Sequence, residues 1–148
     1  MAETELGNKF AAGMRKLGVH IVRVENVAED GTPDYNYAFE RAEGWIETKE
    51  AKGSYLYFEL FQIPWFRKRL RATRGRDVWV LATVKDRINL YAAHRILEAG
   101  RVPAGKWVRV RHEELMPDLV LDFTRPNWAA LIEALTDPNR GVQSSRTV

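Results

Sequence analysis

The sequence contains no cysteine among its 148 residues. That absence excludes disulfide bridges, thiolate zinc sites and cysteine nucleophiles. No apolar run is long enough to span a bilayer, and the N-terminal stretch MAETELGNKF lacks the apolar centre of a secretory signal. A glycine-rich phosphate loop is also missing, which argues against an NTPase. We therefore expect a soluble, cytoplasmic protein with no membrane partner.

The sequence also has few histidines and a small net charge. The three histidines, His20, His94 and His112, show no spacing typical of a zinc site. The net charge is only +3, but residues 67–76 contain six basic side chains and no acid. Such a cluster predicts phosphate binding, although a solvated helix face explains it about as well. The cluster consists of Arg67, Lys68, Arg69, Arg71, Arg74 and Arg76.

The length and the apolar content of 45% suit one domain with its own core. We expect this domain to cover residues 1–136 and the polar tail 137–148 to be disordered. The order α-β-β-β-α-β predicts an α/β domain with a mixed central sheet flanked by helices. Periodicity and turn residues predict helices at 5–17, 59–73 and 127–135, an N-cap at Thr4, a hairpin turn at 41–44, and strands at 20–24, 34–39, 45–49, 77–84, 88–92 and 107–110.

Two short segments contain the residues that suit catalysis. Gly31-Thr32-Pro33-Asp34 is followed, after twelve residues, by Glu47-Thr48-Lys49. Alternate residues of a strand share a face, so Glu47 and Lys49 project together, and a hairpin brings Asp34 close to them. Two carboxylates and the carbonyl of Thr48 suit Mg²⁺, while Lys49 suits the orientation or deprotonation of a water. The alternative is an ordinary salt bridge between neighbouring strands.

The segments G-T-P-D-Y and W-I-E-T-K resemble the signature of the PD-(D/E)XK nucleases. This superfamily includes restriction enzymes, archaeal Holliday-junction resolvases and VRR-NUC-type nucleases, and the chain is similar to its small phage-type members over residues 3–84. The resemblance implies a restriction-endonuclease-like core and a DNA endonuclease that uses Mg²⁺ or Mn²⁺. It also implies that Asp34 and Glu47 bind the metal, that Lys49 is catalytic, and that the protein acts on branched or junction DNA as a homodimer.

Further site residues follow from the same resemblance. Many relatives carry one more metal-binding glutamate, for which we favour Glu5, with Glu3 and Glu25 left open. Gln62 resembles a glutamine that places DNA or a water in some relatives, and an ordinary helix-start residue is the alternative. Arg67, Lys68 and Arg71 are predicted to bind DNA, and Arg23 is a further candidate. Two other functions remain open: an inactive nucleic-acid-binding module, and an interaction protein that uses the basic helix.

Overall fold

The computed structural model describes residues 3–24, 30–73 and 77–137. Within these ranges no helix is long and apolar enough to cross a membrane. The helices are α1 (Glu3–Lys16), α2 (Gln62–Thr73), α3 (Ala93–Glu98) and α4 (Trp128–Thr136). The strands are β1 (His20–Arg23), β2 (Tyr35–Phe39), β3 (Ala42–Glu50), β4 (Tyr55–Glu59), β5 (Val78–Val84), β6 (Arg87–Ala92), β7 (Arg101–Ala104), β8 (Trp107–Arg111) and β9 (Leu119–Asp122).

Six strands form the main sheet in the order β1-β2-β3-β5-β6-β9. The pair β3–β5 is parallel and the other pairs are antiparallel, so the sheet is mixed, as predicted. Apolar residues of α1 and α4 pack on one face, among them Phe10, Met14 and Leu131. Residues of α2 and α3 pack on the other face, among them Phe66 and Ile96. The predicted α/β architecture, with helices on both faces of a mixed sheet, is confirmed.

A second sheet of three strands, in the order β4-β8-β7, lies on the α2 side. Its inward residues Leu56, Phe58 and Val110 are fully buried in the same core as α2. The sequence analysis predicted only part of β8 and neither β4 nor β7. It was wrong to begin the second helix at residue 59, because Glu59 ends β4 and α2 starts at Gln62.

Three other boundaries differ from the predictions. Thr4 is not an N-cap, because α1 already begins at Glu3. The turn after β2 lies at Glu40 and Arg41 rather than at 41–44, since Glu40 adopts a positive φ of 55° and β3 begins at Ala42. The last helix begins at Trp128, and Asn127 caps it by accepting a hydrogen bond from the Ala130 amide. The predicted tail lies outside the described residues, apart from Asp137.

Gly31 fixes how the loop before β2 meets the corner between β4 and α2. Its φ of +89° is one that L side chains rarely adopt, and a Cβ there would overlap the backbone of Phe61 and Gln62. Gly18, which follows α1, has nearly the same φ of +87° but open space around it. The two glycines share a conformational requirement and differ in packing. Gly31 therefore allows the chain that carries Asp34 to approach the start of α2.

We expect Gly31→Ala to destabilise the protein more than Gly18→Ala. Both substitutions place an L side chain in the left-handed region, which costs about 1–2 kcal/mol. Only Gly31→Ala also forces backbone apart, which adds about 1–3 kcal/mol. Thermal unfolding of the two variants measures the difference. Equal losses of stability would show that the close approach at Phe61 does not restrain the loop.

Candidate active site

Glu47 and Lys49 project from β3 toward α2 and the small sheet. Both are almost fully buried, with 3% and 6% of their surface exposed. Lys49 Nζ lies 3.2 Å from Glu47 Oε2 and 5.0 Å from the centre of the Phe58 ring. The shared face follows from the alternation along a strand, as predicted. The pair is therefore a close contact between a carboxyl and an ammonium group inside the protein, with an aromatic ring of β4 beside the ammonium.

Gln62, the first residue of α2, joins this pair to the small sheet. Its amide oxygen accepts hydrogen bonds from Lys49 Nζ at 3.0 Å and from the backbone N–H of Glu59 at 2.8 Å. Its amide nitrogen donates to Glu47 Oε2 at 2.6 Å. The two donors require the oxygen and the carboxylate requires the nitrogen, so only one orientation of the amide satisfies all three partners. Gln62 thus holds both charged groups in place.

Asp34 approaches the pair from the other side of β3. Its Oδ2 accepts hydrogen bonds from the Thr48 backbone N–H at 3.0 Å and from Thr48 Oγ1 at 2.7 Å. It lies near enough to Glu47 for its charge to raise the pKa of that carboxyl. An opening of about 190 Å³ beside it is lined by Thr4, Arg23, Asp34, Tyr35 and Thr48. Asp34 therefore lies on the side of the site that opens to solvent. Thr4 lines the same opening, and the sequence analysis did not identify it.

Thr48 lies beyond the end of the β2–β3 ladder. The last pair of that ladder is Tyr35 with Ile46, so Pro33 and Asp34 precede it. Trp45 and Ala51 point their N–H groups toward β5, so the N–H and C=O of Thr48 point toward the β2 side. Proline has no N–H to donate, so Pro33 cannot extend the ladder to the Thr48 carbonyl. This carbonyl is the one that the sequence analysis assigned to a metal.

Burial raises the pKa of Glu47 to about 8. The charge of Asp34 also raises this pKa, while Lys49 and the hydrogen bond from Gln62 lower it. Only one carboxylate oxygen is satisfied, because Oε1 is buried and has no hydrogen-bond partner. A buried, unpartnered carboxylate oxygen next to a second carboxylate suits a divalent cation, which takes oxygen ligands. The donor set therefore fits the metal that the sequence predicts.

The additional glutamate ligand is not identified. Glu5 is exposed on α1 and does not line the opening beside Asp34. Glu25 and the side chain of Glu3 lie outside what the structure describes. Among the residues described, no group of three or more His, Cys, Asp or Glu side chains is placed to hold a metal. The described acids at the site are thus Asp34 and Glu47.

The basic residues of α2 divide into two sets. Arg67, Lys68 and Arg71 are exposed, and their spacing places them along one stripe of the helix. Arg69 instead contacts Asp77 at 3.1 Å and covers the ring of Trp45 at 5.7 Å. The four cannot share one face of a helix, and the structure separates them accordingly. Arg74 and Arg76 lie outside the described ranges.

A larger depression of about 570 Å³ lies at the β2–β3 turn, far from Lys49 along β3. It contains Glu40, Arg41, Glu43 and Asp77 but none of the buried site residues. The larger depression is therefore separate from the residues that the sequence predicts as the site.

The raised pKa of Glu47 predicts a pH dependence of stability in the presence of a chelator. Between pH 4.5 and about 8 the unfolded chain loses the Glu47 proton while the folded chain keeps it. Unfolding therefore becomes more favourable across this window, and the loss levels off above it. Glu47→Gln has no carboxyl to titrate at this position. We therefore expect the difference in melting temperature, Glu47→Gln minus unmodified protein, to increase as the pH rises.

Glu43→Gln is the matched control, because Glu43 is exposed on the same strand. Melting temperatures of the three proteins from pH 4.5 to 8 measure the effect. A Glu47→Gln curve that parallels the unmodified protein throughout this range would contradict the buried, protonated carboxyl.

The comparison with solved structures supports the fold. The chain is similar to Hjc, a Holliday junction resolvase from the archaeal hyperthermophile Archaeoglobus fulgidus, with a TM-score of 0.53 and 15% sequence identity. The match covers 78% of this chain and 95% of that chain. No family model and no curated protein matches the sequence. The mixed sheet flanked by helices is therefore a fold that this chain shares with that resolvase.

Proposed function

We propose that this protein is a divalent-metal-dependent nuclease that hydrolyses phosphodiester bonds in DNA. The observation that carries the proposal is the buried group of Glu47, Lys49 and Gln62 with Asp34 beside it. A salt bridge that served stability alone would gain from satisfying both oxygens of Glu47, but Oε1 has no partner. The fold shared with a resolvase is consistent with this chemistry.

Asp34, Glu47 and the carbonyl of Thr48 would hold Mg²⁺ or Mn²⁺. When bound, such an ion polarises a phosphoryl oxygen and lowers the pKa of a coordinated water. Thr48 contributes in two ways, because its N–H and hydroxyl orient the carboxylate of Asp34. Glu5 as an additional ligand stays a prediction.

Lys49 is the catalytic residue of the proposal. An ammonium group has three protons to donate. Two of them point to Glu47 Oε2 and Gln62 Oε1, which leaves one for a water or a phosphate oxygen. This third proton orients the attacking water and offsets the negative charge that develops on the phosphate in the transition state. Fixed donors of this kind act strongly because they need no reorganisation during the reaction.

Branched or junction DNA is the proposed substrate class. Hjc is by name a Holliday junction resolvase, and a dimer would bring two active sites to the two strands of a junction. We extend the proposal to a homodimer that acts in the cytoplasm, with Arg23 beside Asp34 and Arg67, Lys68 and Arg71 along α2 as phosphate-binding residues. Their positive charge and exposure suit the DNA backbone.

Cleavage assays with Mg²⁺, with Mn²⁺ and with a chelator test the proposal on linear duplex, single-stranded, supercoiled and four-way-junction DNA. We expect cutting only with metal, and we expect Lys49→Ala and Asp34→Asn to lower the rate about 10²-fold or more. Lys16→Ala, at the exposed end of α1, is the control and should cut normally. Salt-sensitive binding without cutting would instead identify an inactive binding module, and neither activity would favour an interaction protein.

Gln62→Ala separates two roles for this residue. If Gln62 positions Lys49 and Glu47, the substitution lowers kcat about 10-fold or more and leaves the DNA dissociation constant nearly unchanged. If Gln62 contacts DNA, as the sequence analysis proposed, binding weakens instead. Its 6% exposure favours the first outcome. Single-turnover cleavage rates and binding in chelator, measured on the same DNA, distinguish the two.

A further inference from the structure

The outward face of the small sheet combines aromatic and basic side chains. The β4–β8 register places Tyr55 opposite Arg111, Tyr57 opposite Arg109 and Glu59 opposite Trp107. These residues alternate with the buried Leu56, Phe58 and Val110, so they face away from the core. Trp107 is 41% exposed. We name the set formed by Tyr55, Tyr57, Trp107, Arg109 and Arg111 the stacking face.

Both arginines of this face lie near the ring of Tyr55, and Arg111 also contacts an acid. Arg109 Cζ lies 4.4 Å from the centre of the Tyr55 ring, and Arg111 Cζ lies 5.7 Å from it. Arg109 forms no ion pair in the described part of the chain, and its Nε is buried without a hydrogen-bond partner. Arg111 contacts the exposed Glu113 at 3.4 Å and also forms a side-chain hydrogen bond with Tyr55. Both guanidinium groups therefore retain donors for an anion.

The stacking face is joined to the catalytic group through β4. Phe58, on the inner side of β4, lies beside Lys49, and the backbone N–H of Glu59 donates to Gln62. Trp107 pairs with Glu59 and so lies at the end of the sheet nearest Gln62. A chain that ran along the outer face of β4 and β8 would therefore leave it near the corner between β4 and α2.

We propose that the stacking face binds unpaired nucleotides of DNA next to the cleavage site. This inference rests on the proposed nuclease function for its biological setting, but its test does not require cleavage. Trp107 and Tyr57 would stack on bases, which every base permits, while Arg109 and Arg111 would pair with the phosphates between them. Unpaired nucleotides are what a branched substrate offers and an intact duplex lacks.

Two alternative occupants fit this face less well. A paired duplex keeps its bases stacked inside, so flat aromatic side chains on a sheet gain little from it. A second copy of the chain that met this face across a two-fold axis would place the arginines of both copies close together. Such a like-charge contact is costly. Glu59 lies at one end of the face, opposite Trp107, and the acid that contacts this face, Glu113, does so at Arg111.

Fluorescence anisotropy with the full chain in chelator tests the inference. The probe is a labelled thymidine oligonucleotide of roughly 16 nucleotides, at the upper end of known single-strand site sizes, and a duplex of equal length is the comparison. We expect Trp107→Ala to weaken single-strand binding about tenfold and Trp107→Phe to retain most of it. Arg109→Gln should reduce the slope of log affinity against log salt by about 0.7.

Arg41→Gln is the charge-matched control, because Arg41 is exposed at the β2–β3 turn, away from the small sheet. Circular dichroism of each variant checks that the fold is retained. Unchanged affinity and salt slope in both Trp107→Ala and Arg109→Gln would overturn the inference, as would a preference for the duplex. A change in sedimentation mass without a loss of DNA binding would also overturn it and would identify a contact between copies.

These outcomes are independent of the proposed nuclease activity. Single-strand binding that depends on Trp107 and Arg109, in a protein that cuts no DNA with metal, would support the stacking face and refute the nuclease. Cutting that depends on Lys49, in a protein whose DNA binding is unchanged by the stacking-face variants, would support the nuclease and refute the stacking face.

Discussion

Burial of the Glu47–Lys49 pair is the constraint on which the neighbouring elements depend. Removing an ion from water costs several kcal/mol, which raises the pKa of Glu47, and the attraction of Lys49 offsets only part of that cost. Gln62 supplies one hydrogen bond to each group, and it can do so because α2 begins at that residue. Its oxygen also accepts from Glu59, so the end of β4 is fixed by the same contact. The buried pair thus sets the corner between β4 and α2.

Asp34 imposes a second constraint, at the point where the β2–β3 ladder ends. Glu47 and Lys49 lie on the α2 side of β3, whereas Thr48 points its side chain to the α1 side. Asp34 binds Thr48 and still acts electrostatically on Glu47, so it connects the two faces where the β2–β3 ladder ends. Gly31 contributes by allowing the loop to pass against Phe61. In the segment G-T-P-D, the residue types at Gly31, Pro33 and Asp34 therefore each have a geometric reason.

The sequence predicted the elements whose periodicity is set by one packed face. The helix containing Leu6, Phe10 and Met14 and the apolar strand β5 are examples. It missed β4 because Tyr55–Glu59 leads directly into the helical pattern of α2, and pattern alone does not show which residue begins the helix. The closeness of Glu47 and Lys49 followed from strand alternation. The amide of Gln62 and the opening lined by Thr4 depend on contacts between distant segments, which no local pattern contains.

The incomplete hydrogen bonding of Glu47 separates a functional reading of the site from a structural one. A group kept only for stability would be expected to satisfy every buried polar atom, since an unpartnered oxygen costs about 1–3 kcal/mol. Gln62 satisfies one oxygen, and Oε1 remains without a partner beside Asp34. A buried atom without a partner is not by itself evidence of a site, since Trp45 Nε1 and Arg109 Nε are further examples in the described part of the chain. What distinguishes Glu47 Oε1 is its place beside Asp34 and Lys49, where the cation of the proposed complex would supply the missing partner.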